Sequence, residues 1–112
     1  MILYLTGKVR SGDLAGALEA YRRALELDAE NPDARFNLGV GLLLVGDPEG
    51  AVRELGRVVL TDPADAAARL QLAEAYRQRG QPDLARRELE GILAWAPASP
   101  EAEQARQALT VP

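Results

Sequence analysis

Apolar residues recur along this chain at helical spacing and never in the strict alternation of a half-buried strand. Leu14, Leu18, Tyr21 and Leu25 form one stripe, with Ala17 and Ala24 small enough to let a neighbouring helix approach. Leu38, Gly41, Leu42 and Val45 form a second, Leu84, Ala85, Leu89, Ile92 and Leu93 a third, and Ala102, Ala105 and Leu109 a narrower fourth. Turn and cap residues separate the stripes. Asn31, Asp65 and Ser99 are short polar side chains of the kind that accept a hydrogen bond from a helix's first turn. Pro32 and Pro100 follow such caps at the first helical position, where a missing N–H costs nothing, and Pro48 and Pro82 hold the same place elsewhere. Gly12, Gly46 and Gly80 are placed to end a helix with positive φ, and Asp13, Asp47 and the weaker Gln81 to cap the next. The pattern predicts seven helices, near Met1–Ser11, Leu14–Leu27, Pro32–Val45, Pro48–Leu60, Ala66–Arg79, Pro82–Trp95 and Pro100–Leu109.

The punctuation is periodic. Gly12, Gly46 and Gly80 are 34 residues apart, as are Ala17, Ala51 and Ala85, and Asn31, Asp65 and Ser99. A fixed period in this range marks a stack of identical supersecondary units, and the short linkers force neighbouring helices antiparallel. The expected fold is all-α, a solenoid of helix pairs.

Leu38-Gly39 with Ala51, Leu55 and Pro63 resembles the tetratricopeptide repeat, as do Leu72-Ala73, Tyr76, Ala85, Leu89 and Pro97, and Gly12-Asp13-Leu14, Ala17, Tyr21 and Ala24. The resemblance runs over essentially the whole chain and implies a right-handed superhelix forming a single domain, 1–112. Its repeats would lie at about 1–31, 32–65 and 66–99, with a capping helix at 100–110. Four positions depart from the pattern: Ala29 stands where Pro is expected, Lys8 where an aromatic is usual, and Arg35 and Arg69 where the leading aromatic belongs. These changes are expected to loosen local packing.

The helix at 32–45 carries a further apolar stripe, Phe36, Val40, Leu43 and Leu44, and a helix apolar all round must be buried on more than one side. The resemblance places that stripe on the concave inner face, where relatives hold peptides; packing of Leu43 and Leu44 on adjacent helices is the plainer alternative. The corresponding positions of the third repeat are more polar: Ala67, Leu70, Gln71, Glu74, Arg77 and Gln78. The candidate partner-binding face is therefore Phe36, Asn37, Val40, Leu43, Leu44, Leu70, Gln71, Glu74 and Arg77, apolar at one end and polar at the other. Elsewhere, Gly56 inside a helix suggests close backbone contact, and Trp95 is expected to cover the seam with the last helix.

Composition narrows the chemistry. With no Cys and no His among 112 residues, no disulfide, thiolate metal site or imidazole base is available, and the glycines are not spaced as a phosphate cradle. Neither catalysis, a cofactor nor a metal is expected. A net charge of −4 opposes a nucleic-acid partner, and the run Phe36–Val45 is too short for membrane insertion. No basic leader precedes the apolar residues at the N-terminus, so the expected location is cytoplasmic.

A protein-interaction scaffold holding a peptide segment is the expected function. The alternative is an assembly element, a homodimer or larger, using the apolar groove or an open N-terminal end, because Met1 falls where the third or fourth residue of a first helix belongs. Chaperone-tail recognition, which the resemblance raises, needs cationic and Asn residues at places held here by Ile2, Thr6, Asn37, Ala67 and Gln71. Only Asn37 agrees, so binding of such tails is not expected.

Overall fold

The structure, a computed structural model, describes residues 11–110. Among the described residues six helices follow one another: α1 (Ser11–Leu27), α2 (Pro32–Leu44), α3 (Pro48–Thr61), α4 (Ala66–Gln78), α5 (Pro82–Trp95) and α6 (Pro100–Thr110). No strand occurs among the described residues. The expected helix near Met1–Ser11 lies outside them but for Ser11, which already belongs to α1. Gly12 and Asp13 correct the reading of the first turn: both lie within α1, Asp13 in its first turn, where its carboxylate faces the positive end of the helix dipole.

The other boundaries form as their residues dictate. The side chains of Asn31, Asp47 and Asp65 accept from the backbone N–H groups of Ala34, Gly50 and Ala68 at 3.1, 2.9 and 3.0 Å, and Ser99 Oγ from Ala102 at 3.2 Å. Gln81 makes no such bond, and its Oε1 is buried without a partner. Gly46 and Gly80, at φ 82 and 74, end α2 and α4 in the left-handed region that a side chain disfavours. The chain then folds back, so that the N–H groups of Asp47 and Gln81 reach the carbonyls of Leu42 and Tyr76 at 2.8 and 2.9 Å.

Each helix packs on the next, and α2 with α4 and α4 with α6 also touch, which is the neighbour-on-neighbour order of a solenoid. One core gathers Leu18, Leu38, Leu42, Leu43, Ala51, Leu55, Leu72 and Ala75; a second joins Ala66 and Ile92 to Ala102 and Ala105 of α6. The cores need small residues at the crossings. A Cβ on Gly39 would stand 2.5 Å from Leu55 Cγ, and one on Gly41 2.5 Å from Leu18 Cδ2. Gly56 has no such reason: nothing lies within 4 Å of where its Cβ would be, contrary to the close contact expected there.

Arg35 and Arg69 also overturn an expectation. Each is mostly buried and bridges two helices and the turn before them. Arg35 pairs with Glu54 at 2.7 Å and donates to the Ala29 carbonyl at 2.5 Å; Arg69 pairs with Glu88 at 3.0 Å and donates to the Pro63 carbonyl at 2.7 Å. Every partner of Arg69 lies 34 residues beyond the matching partner of Arg35. The guanidinium stands where an aromatic was expected and fastens α2 to α3, or α4 to α5, and to the preceding turn, so packing is cross-linked there.

α6 closes one side. Arg106, Gln107 and Thr110 stand 34 residues after Leu72, Ala73 and Tyr76, and all three are exposed where the earlier residues are buried or half-buried. Its buried side is Ala102 and Ala105, and its far side is polar.

Candidate functional site: a groove between α4, α5 and α6

The sequence placed the greasy part of the partner face on α2. The structure closes most of it. Asn37, Val40 and Leu43 are buried, at 5%, 4% and 9% exposure, and Phe36 is half-buried against the first core. Leu44 is exposed. Asn37, Val40 and Leu43 are therefore not open to a partner here, and the physical reason is the one that made the stripe conspicuous. A helix apolar on every side is engulfed by its neighbours, and Leu43 joins Leu18 and Ala75 in one core. Val45, assigned to the inward stripe, is instead exposed past the last turn of α2.

An open apolar recess lies one repeat further on. Leu70, Ala73, Glu74 and Arg77 of α4, Ala85 and Leu89 of α5 and Ala108 of α6 border a solvent-open space of about 380 Å³. It runs into a wider trough of about 710 Å³, edged by Arg77, Pro82, Ala85, Arg86, Leu89, Ala108 and Leu109. Leu70, Glu74 and Arg77 were expected site residues, and the structure brings them together. Gln71 is half-buried on α4 but does not line the recess. Ala73, Ala85, Leu89 and Ala108 were missed as site residues. Ala85 and Leu89 were read only as inward-facing, and the second wall is built by α6, whose alanines signalled a cap.

The polar rim is preset. Glu74 accepts from Arg77 Nε at 3.0 Å, again from Arg77 Nη2, and from Gln78 Nε2 at 3.1 Å. The hydrogen bond from Arg77 holds the Glu74 carboxyl below the usual carboxylate range against the opposing effect of partial burial. The site thus offers an apolar floor of small side chains with an ionised, internally paired rim. No cluster of ligating side chains suited to a metal occurs among the described residues. No helix there is long and apolar enough to cross a membrane. The arrangement can hold an aliphatic side chain or a short stretch of backbone and orient it by hydrogen bonds.

The chain is similar in structure to MamA, with 24% identity over 88% of this chain and 60% of that one, at a TM-score of 0.74. YrrB, described as a TPR protein with an unusual peptide-binding site, is 25% identical over 86% of this chain and 50% of its own, at 0.77. The second TPR domain of human RPAP3, solved in complex with an HSP70 peptide, shares the fold at 21% identity over 90% and 84%, also at 0.77. The chain spans about 60% of the length of MamA and half that of YrrB. No curated protein matches the sequence at a significant level. A tetratricopeptide repeat model matches residues 42–109, and a second, described as TPR repeat, matches residues 8–46. The helix pairs, their 34-residue interval and these two matches agree: the chain belongs to the tetratricopeptide repeat family.

Proposed function

We propose that the chain is a protein-interaction scaffold that holds a peptide segment of a partner in the groove between α4, α5 and α6. Leu70, Glu74 and Arg77 contact that segment, and Phe36 and Leu44 are further contacts on α2. The observation that carries this is the open apolar recess with its preset polar rim. YrrB and the RPAP3 domain are described with peptides, which supports a peptide as the kind of ligand. The HSP70 peptide itself is not carried over: Asn37 is buried, and Ala67 and Gln71 supply no cation at the places where a chaperone-tail clamp needs one.

The test is selection from a displayed library of random peptides on the immobilised chain, repeated with Ala108→Trp. Ala108 is exposed on α6, so the larger side chain fills the groove without entering a core. Selected peptides should bind the parent and not the variant, whose circular dichroism should match the parent's. Equal binding by both would place the ligand elsewhere.

Leu27, Leu60 and Trp95, exposed at the ends of α1, α3 and α5, support assembly with further copies as a second reading. Light scattering separates the two, since assembly requires a mass above one chain in the absence of any peptide.

A further inference from the structure

The rim's hydrogen-bond inventory selects a ligand chemistry. Glu74, the one carboxylate lining the groove, already accepts two bonds from Arg77 and one from Gln78. The cations are not used up. Nη1 of Arg77 makes no hydrogen bond among the described residues. Arg86, on the wall of the wider trough, is exposed, and its side chain makes no hydrogen bond or ion pair among them. Arg35 and Arg69, by contrast, are mostly buried and donate to partners inside the fold, Glu54 with Ala29 and Glu88 with Pro63. The groove therefore has guanidinium donors to spare, while its carboxylate is already satisfied, beside a floor of Leu70, Ala73, Ala85, Leu89 and Ala108.

We infer that the segment held in this groove is acidic: it lays an aliphatic side chain on the alanine floor and an adjacent carboxylate on Arg86, with the free edge of Arg77 in reach. This rests on the peptide-binding reading above and names the partner's chemistry. An arginine fork matches a carboxylate with two parallel N–H···O bonds, and the apolar wall beside it lowers the local dielectric and strengthens them. A basic segment would bring donors to donors. The net charge of −4 repels an acidic partner at long range, so the match acts at contact, through dissociation rate more than through steering.

The probe is a capped, unstructured octapeptide with alternating Leu and Glu at its centre, compared with versions carrying Gln or Lys in place of Glu. Binding is followed by backbone NMR shifts. The acidic peptide should move the amides of Ala73, Ala85 and Ala108 and bind about tenfold more tightly than the Gln version. Arg86→Gln should abolish that preference, and Arg87→Gln, on the neighbouring exposed arginine, should keep it. Equal binding of the three versions, or tightest binding of the Lys version, overturns the acidic assignment and leaves the groove standing. The assignment also falls if library-selected peptides move these amides and the acidic one does not. If no peptide moves them, the peptide-binding reading falls as well. A dimer mass without peptide, lost in Ala108→Trp, would assign the groove to a second copy and overturn the inference.

Discussion

Arg69 reaches from α4 to α5 and places Nη1 3.0 Å from Glu88 Oε1, with both side chains mostly buried. The pair is asymmetric. Burial pushes the Glu88 carboxyl above the usual carboxylate range, and attraction to Arg69 recovers only part of that shift. Removing the arginine should therefore cost more than neutralising the acid. Arg69→Met strands a buried carboxylate and orphans the Pro63 carbonyl, and should cost about 1–3 kcal/mol. Glu88→Gln keeps an acceptor for Arg69 and should stay within about 1 kcal/mol of the parent. Urea unfolding of both variants checks the order.

Glu88 and Glu74 give opposite pH dependences. Glu88 is raised, so the folded state holds its proton more tightly than the unfolded chain. Its favourable contribution is present at low pH and is lost as pH climbs from the ordinary 4.5 through the raised value. Glu74 is lowered, so its contribution is present above 4.5 and is lost as pH falls through the lower folded value. The stability of the parent relative to Glu88→Gln should decline with rising pH and then level off. Relative to Glu74→Gln it should decline on acidification. Unfolding curves across this range should show the two trends diverging.

Three glycine-to-alanine changes separate room from propensity. Gly56 has open space around it, so Gly56→Ala should stabilise α3 by about 0.5–1 kcal/mol through helix propensity alone. A Cβ on Gly91 would run into the Arg69 guanidinium, and one on Gly39 into fully buried Leu55. Gly91→Ala should lose the propensity gain by displacing Arg69, and Gly39→Ala should cost roughly 1–3 kcal/mol by overpacking. Thermal unfolding ranks the three, and a stabilising Gly39→Ala would show that α2 and α3 have slack between them.

Most of the fold could be read from residues that act locally. Asn31, Asp47 and Asp65 cap, prolines open helices, and Gly46 and Gly80 close them, each within a turn of its own position. Failures came where the outcome depends on distant neighbours. Val40 and Leu43 were recognised as apolar, but whether a stripe faces solvent is set by the helices around it. Trp95 shows the same limit: it is exposed, at 57%, and the seam with α6 is filled by Leu89, Leu93 and Ala96 instead. Arg35 and Arg69 looked like lost aromatics because the matching acids lie 19 residues away in each repeat; Glu54 and Glu88, 34 apart, were the available signal. The groove was half legible, since Leu70, Glu74 and Arg77 share one helix while Ala85, Leu89 and Ala108 reach it only through tertiary packing.

The groove on α4, α5 and α6 is most directly tested by amide hydrogen exchange with and without a library-selected peptide. Protection gained within 70–77, 85–89 and 105–109, exceeding any change in α1 and α2, is the expected result. Protection confined to α1 and α2, with those segments unchanged, would contradict it.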